Sequence, residues 1–167
     1  MSWKIERLNK THDRSAFSSG NTTLDDFLLF RVNQYEKRSL GRTFVATLST
    51  NLTVQGYYTL AATSIPVEGL PAKLARKLPI HPIPAVLLAR LAVDQQSQGM
   101  GLGEQLLIDA LERSLTLAKE LGIHAVVVDA LDERAASFYR KYGFESLLDD
   151  PLHQYIIIAT IQEGLGG

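Results

Sequence analysis

The chain of 167 residues contains no cysteine. Disulfide frameworks and thiolate metal sites are therefore excluded. No apolar run is longer than a handful of residues, which excludes a membrane-spanning helix. The first residues, Met1 to Arg7, have no apolar signal core, so the expected compartment is the cytoplasm. Repeats and low-complexity tracts are also missing. What remains has globular proportions: 46% hydrophobic and 21% charged residues. At this length it reads as one domain spanning residues 1–167.

Charge is unevenly distributed. Residues 1–90 hold 12 Lys and Arg against 6 Asp and Glu, and residues 91–167 hold 5 against 12. A basic half points to a polyanionic partner, against the plainer reading of scattered solvated charge. Two basic runs stand out. One is Arg31, Lys37, Arg38 and Arg42, and the other is Lys73, Arg76 and Lys77.

Periodicity and punctuation predict the elements. Trp3 to Leu8 reads as a strand. Asn21-Thr22-Thr23, followed by Asp25 and Asp26, reads as a capped helix start. Leu24, Phe27, Leu28, Val32 and Tyr35 carry that helix to about Lys37. Arg42 to Leu48 and Leu52 to Ala61 form a predicted hairpin around Ser49-Thr50-Asn51. A short helix over Ala72–Lys77 precedes a proline-rich stretch that cannot be helical. Then come a strand from Ala85 to Val93, a helix from Gly103 to Leu121 and a buried strand at Ala125–Val128. A helix from Glu133 to Tyr142 and strands at Phe144–Leu148 and Gln154–Ile161 complete the chain. The order predicts an α/β (α+β) fold with a βαβ unit at the centre of a mixed sheet.

Between the strand ending at Val93 and the next helix lies Gln95-Gln96-Ser97-Gln98-Gly99-Met100-Gly101-Leu102-Gly103-Glu104. Glycines let the main chain turn without a side chain in the way. Unpaired N–H groups at a helix N-terminus bind phosphate oxygens. The segment is therefore a candidate diphosphate site. It lacks the Gly-Lys-Ser/Thr of the nucleotide triphosphate loop, and position 104 is Glu where the dinucleotide fingerprint needs glycine.

The spacing Gln96-x-x-Gly99-x-Gly101 resembles the acetyl-CoA signature of the GNAT N-acetyltransferases. Phe138-Tyr139-x-x-x-Gly143-Phe144 resembles that family's second motif. The resemblance implies a sheet of about six to seven strands with a splayed parallel pair and helices on both faces. It implies acetyl-CoA as cosubstrate, held by Leu91, Ala92, Val93, Gln98, Gly99, Met100, Gly101, Leu102, Gly103, Glu104, Asp132 and Phe138, with no metal. The pantetheine arm pairs with the main chain of Leu91 and Val93 like an added strand. Asp132 departs from the Asn common at that position, and an Asp cannot donate an amide proton.

Tyr139 takes the family role of general acid. A phenol of pKa about 10 can protonate a leaving thiolate whose acid has a pKa of about 8.5. No matching motif contains a histidine. His12, His81, His124 and His153 read as surface or turn residues. Without an evident base, the acceptor leans towards an α-amine, which titrates near 7.7–8.0, rather than a lysine amine near 10.4.

The first half is similar to the TacT-type toxin branch of the family. The resemblance rests on Asp13 to Asn21, Leu24-Asp25-x-Phe27-Leu28, Gly41 to Val45, Gly56 to Leu60, and Leu78 to Val93. Ser19 stands where a cysteine is frequent. The resemblance implies acetyl transfer from acetyl-CoA to the α-amino group of aminoacyl-tRNA. It also implies neutralisation by a ribbon-helix-helix antitoxin, contact with operator DNA only through that antitoxin, and a homodimer. The two basic runs together with Arg90 become the expected tRNA platform. Arg90 points either to the cleft or to an acid, with a purely structural ion pair equally open. The competing readings are a GNAT enzyme acting on a small-molecule or protein amine, and a silent regulator that binds coenzyme A.

Overall fold

In a computed structural model, residues 2–165 are described. Seven strands pair in the order β1-β2-β3-β4-β5-β7-β6. They are β1 (Trp3–Arg7), β2 (Arg42–Leu48), β3 (Val54–Ile65), β4 (Ile83–Val93), β5 (Ala125–Asp129), β6 (Glu145–Ser146) and β7 (His153–Ile157). β1–β2 and β2–β3 are antiparallel, β4 and β5 run parallel, and β7 is antiparallel to both β5 and β6. The mixed sheet with a parallel pair is the one anticipated from the element order.

The chain divides into two compact units. The first comprises residues 1–61 and 89–110. Its leading helical stretch is α1 (Thr22–Asp26), a π-helical turn over Phe27–Arg31 and α2 (Val32–Lys37). Asn21 caps it as the sequence implies, its side chain accepting from the Leu24 N–H at 3.0 Å. Leu24, Phe27, Leu28 and Val32 are buried with Phe17, Val45, Val54, Tyr57 and Ala92. The Tyr57 hydroxyl donates to the Leu24 carbonyl at 2.6 Å.

Gly56 in β3 lies against the N-terminal turns of α4 (Leu102–Glu120). A Cβ there would meet Leu106 Cδ1 at 2.9 Å and the Ala92 carbonyl oxygen at 3.1 Å. Backbone cannot give way as a flexible side chain can. Gly56→Ala should therefore lower stability by about 1–3 kcal/mol, read from urea unfolding. An unchanged midpoint would contradict this packing.

The second unit comprises residues 62–88 and 111–167. Here β4 pairs with β5 from Ala85↔Ala125 to Leu88↔Val128. Its core gathers Ile65, Val67, Leu70, Ile83, Ala85, Ala125 and Tyr155. A short helix, α3 (Ala72–Ala75), stops two residues before the expected Lys77. α5 (Glu133–Lys141) ends before Gly143, whose φ of 100° is the left-handed conformation that glycine adopts at a helix terminus.

Two expectations fail in this unit. The strand expected over Phe144–Leu148 is reduced to two residues. The strand expected over Gln154–Ile161 stops at Ile157 and continues as α6 (Ile158–Leu165). A short apolar run does not tell strand from helix. Burial decides it: Ile158 and Ile161, three apart, are buried while Ala159 and Thr160 are exposed. Among the described residues no helix is long and apolar enough to cross a membrane.

Candidate functional site

The glycine segment follows β4 directly. Asp94 organises its first turn. Its carboxylate accepts from the Gln96 N–H and the Ser18 N–H, both at 3.0 Å. Its own N–H donates to the Gln55 carbonyl at 2.8 Å. Ser97 is buried and donates from Oγ to Gln55 Oε1 at 2.6 Å. Gln98 Nε2 donates to the carbonyls of Ser19 and Val93, each at 2.9 Å. The Gln98 side chain is thus a strut between the loop before α1 and the end of β4. What it leaves for a ligand is its main chain.

Beyond that strut the chain turns twice in the left-handed region, at Gly99 (φ 77°) and Gly101 (φ 85°). A Cβ on either glycine would meet nothing within 4 Å. Backbone conformation and a need for bare main chain therefore account for these glycines, and packing does not. Leu102 is buried and anchors the start of α4. Among the described residues, the main-chain N–H groups of 98–103 have no acceptor. Such an array carries partial positive charge and suits a diphosphate. Met100 and Glu104 have exposed side chains beside it.

β4 runs on for five residues past its last pairing with β5, at Leu88. Leu91, Ala92 and Val93 lie in this extension, with Ala92 buried in the first unit's core. The Val93 carbonyl already accepts from Gln98 and keeps its second lone pair.

The loop before α1 braces the site, and its part in it was not evident from the sequence. Ser19 Oγ and the Ser19 N–H both bond to Asp25 Oδ1, at 2.6 and 2.9 Å. The Gln95 N–H donates to the Ser18 carbonyl at 2.8 Å. Ser18 lies 76 positions from Asp94 and Ser19 lies 79 from Gln98, so no local pattern could have signalled these pairs. Ser19, noted as a departure from cysteine, acts here as a hydrogen-bond donor.

In the second unit, Tyr139 lies on α5 with its side chain almost wholly buried. Its ring meets Phe138 and Phe144 edge-on, with centroids 5.3 and 5.5 Å away. Burial pushes the phenol above its ordinary pKa. Among the described residues none accepts from or donates to its hydroxyl. Tyr139 thus holds its proton throughout the physiological range.

Asp132 has a structural role. It caps α5, its carboxylate accepting from the Ala135 N–H at 2.8 Å. Asn caps helices about as well as Asp. Asp132→Asn should therefore leave thermal stability nearly unchanged, while Asp132→Ala costs about 1 kcal/mol. Equal losses in the two variants would contradict the cap.

The histidines differ from expectation at one position. His12 is buried rather than at the surface. Its Nδ1 accepts from the Asn9 N–H at 3.0 Å and its Nε2 lies 2.9 Å from Glu6 Oε1. Both ring nitrogens are used, because burying an unpaired polar atom is costly. His153 sits between Asp149 and Asp129, at 2.9 and 3.4 Å. The Asp149 hydrogen bond raises its pKa, which makes it a less available base.

Among the described residues Arg90 pairs with no acid, and it is half-buried. Its guanidinium lies 3.7 Å from the Phe27 ring centre and 5.3 Å from that of Tyr35, a cation–π contact. Arg31, Lys37, Arg38, Lys73, Arg76 and Lys77 are exposed. Arg42 is partly drawn inward by the Glu36 carbonyl at 3.0 Å. No cluster of three or more metal-ligating side chains occurs among the described residues.

Residues 41–146 match the model of the acetyltransferase (GNAT) domain. The chain is 36% identical over 160 residues to a tRNA-acetylating toxin of Mycobacterium tuberculosis, covering 96% of this chain and 95% of that one. It resembles the solved structure of AtaT complexed with acetyl-methionyl-tRNAfMet, with a TM-score of 0.91 and 29% identity, covering 97% of this chain and 98% of that one. It also resembles the Y144F mutant of AtaT bound to the C-terminus of the antitoxin AtaR and acetyl-CoA. There the TM-score is 0.84 and the identity 26%, with both chains wholly covered.

Proposed function

Because this chain belongs to the GNAT acetyltransferase family, we propose that it is a toxin that transfers acetyl from acetyl-CoA to the α-amino group of aminoacyl-tRNA. The observation that carries this reading is the unpaired N–H array at residues 98–103, over glycines with free space above them. That is what a coenzyme diphosphate needs. The tRNA substrate rests on the near-complete match to a tRNA-acetylating toxin and the likeness to a tRNA-bound relative.

Roles follow from chemistry. The main chain of Gln98, Gly99, Met100, Gly101, Leu102, Gly103 and Glu104 binds the diphosphate. Leu91, Ala92 and Val93 offer a strand edge to the pantetheine amides. Phe138, half-buried on α5 beside Tyr139, and Asp132, which also caps that helix, are the second unit's contacts to the coenzyme. Acetyl-CoA supplies an activated thioester carbon. The neutral amine attacks that carbon, the C–S bond breaks, Tyr139 gives its proton to the departing sulfur, and the proton shed by the new amide nitrogen passes to solvent, from which the phenol is restored. Burial keeps the Tyr139 phenol protonated at neutral pH, so its proton is there for the sulfur. Proton loss from the α-amine needs little help near pH 8. The N-acetylated product has no free amine with which to form a peptide bond, and translation stops.

Further parts of the reading rest on the relatives. The acetyltransferase match draws on both units, which supports one catalytic domain over residues 1–167. A relative bound to the C-terminus of its antitoxin supports a neutralising partner. We take this partner to be a ribbon-helix-helix protein that carries the toxin to operator DNA. The exposed basic runs, Arg31 to Arg42 and Lys73 to Lys77, suit tRNA phosphates. A cytoplasmic homodimer completes the proposal.

Purified protein, acetyl-CoA and either charged tRNA or a polyamine provide the test. Acetyl incorporation into aminoacyl-tRNA is the expected result. Incorporation into the polyamine alone would replace this reading with a small-amine acetyltransferase.

A further inference from the structure

The π-helical turn changes what the first helical stretch shows to solvent. In an unbroken α-helix, position 31 shares a face with Leu24, Phe27 and Leu28, being seven, four and three residues on. Arg31 would then point into the core. Instead the Val32 N–H bonds back five residues to the Phe27 carbonyl. The added residue hands the core position to Val32, which is fully buried, and leaves Arg31 exposed. Insertions of this kind are rare and gather at functional sites.

Core packing explains the rotation but not its neighbour. Phe30 is 77% exposed, and among the described residues no ring or cation lies on it. On a helix its face continues through Asn33 and Gln34 to Lys37 and Arg38. Arg31, Lys37 and Arg38 are exposed, and among the described residues none forms an ion pair. Glu36 does not neutralise them, because it is engaged by Arg7, Arg42 and the Thr43 N–H. Asp25 is likewise held by Ser19. Asp26 is the one carboxylate left on this stretch.

An uncovered aromatic ring among unpaired cations and amides is the recognition chemistry of single-stranded nucleic acid. Bases stack on the ring while cations follow the phosphates. We propose that Phe30 stacks on an unpaired base of the tRNA, with Arg31, Lys37 and Arg38 on the adjoining phosphates. This rests on the aminoacyl-tRNA reading and names a contact within it. The charge argues against a second copy of the chain as occupant, since docking this face on itself would bring two sets of unpaired cations together.

The test measures binding of uncharged tRNA over a range of salt concentrations. Phe30→Ala should weaken it about tenfold, within the range for one lost base–aromatic stack, and leave the salt slope unchanged. Phe30→Tyr should retain affinity. Replacing Arg31, Lys37 and Arg38 together by Ala should flatten the slope by about two to three. A blunt RNA duplex should bind Phe30→Ala and wild type alike. Unchanged tRNA affinity in Phe30→Ala overturns the inference. So does a fall in oligomer mass, or weaker antitoxin binding, with tRNA affinity intact. If wild type fails to acetylate aminoacyl-tRNA, the functional reading falls. If it acetylates but Phe30→Ala binds normally, only this inference does.

Discussion

Tyr139→Phe should lower kcat for aminoacyl-tRNA acetylation by about a hundredfold or more while leaving acetyl-CoA affinity and thermal stability nearly unchanged. The substitution removes only the hydroxyl. The edge-on contacts with Phe138 and Phe144 are made by the ring, which remains. Among the described residues the hydroxyl has no protein partner whose loss would destabilise the fold. A stability loss would therefore be small, and a rate loss would report proton donation. The pH profile gives an independent reading. Burial holds the phenol pKa above its ordinary value of about 10, so its protonated form persists at pH 9. Rate should rise from pH 6 and level off at about pH 9 as the α-amine, which titrates near 7.7–8.0, loses its proton. A fall between pH 8 and 9 would assign the acid to another group. So would a Phe variant as active, and as toxic in cells, as wild type.

The second large effect belongs to Gly101→Ala. With φ at 85°, an L side chain at this position carries strain of about 1–2 kcal/mol. That cost should appear in unfolding but leave the protein folded. Binding should suffer much more. The new methyl enters open space, where it meets no protein atom within 4 Å, and that is the space a diphosphate must enter to reach the N–H groups. Calorimetry should show acetyl-CoA affinity falling more than tenfold. Gly122→Ala is the matched control. Its Cβ also meets nothing within 4 Å, and its backbone is not left-handed. It should bind acetyl-CoA like wild type. Normal affinity in Gly101→Ala would remove the glycine turn from the coenzyme site.

Signals confined to a few neighbouring residues were legible without coordinates. Asn21 before Thr22-Thr23 is a cap because a short side-chain oxygen reaches the N–H three residues on, and it does so here. Gly143 ends α5 because few other residues adopt its φ. Gly99 and Gly101, between β4 and α4, announced bare main chain at a helix start for the same reason. The π turn left no such trace: Leu24, Phe27, Leu28 and Val32 keep the spacing of an ordinary α-helix, and only the burial of Val32 beside an exposed Arg31 reveals the added residue.

Other features depended on residues that the chain brings together from far apart. Arg90 reads as a charge seeking an acid, yet Phe27 and Tyr35 receive it. His12 reads as a loop residue, yet Glu6 and Asn9 bury it with both nitrogens satisfied. Ile158 to Ile161 reads as strand, because four apolar or β-branched residues have no period of their own until burial selects one. Gln98 lies inside the recognised motif, but its role as a strut exists only because Ser19 is folded against it. Left-handed turns, caps and terminators are set by local sterics and hydrogen bonds, so the amino-acid order alone determined them. Which polar group meets which partner is settled by long-range packing, and that was decided only in the tertiary structure.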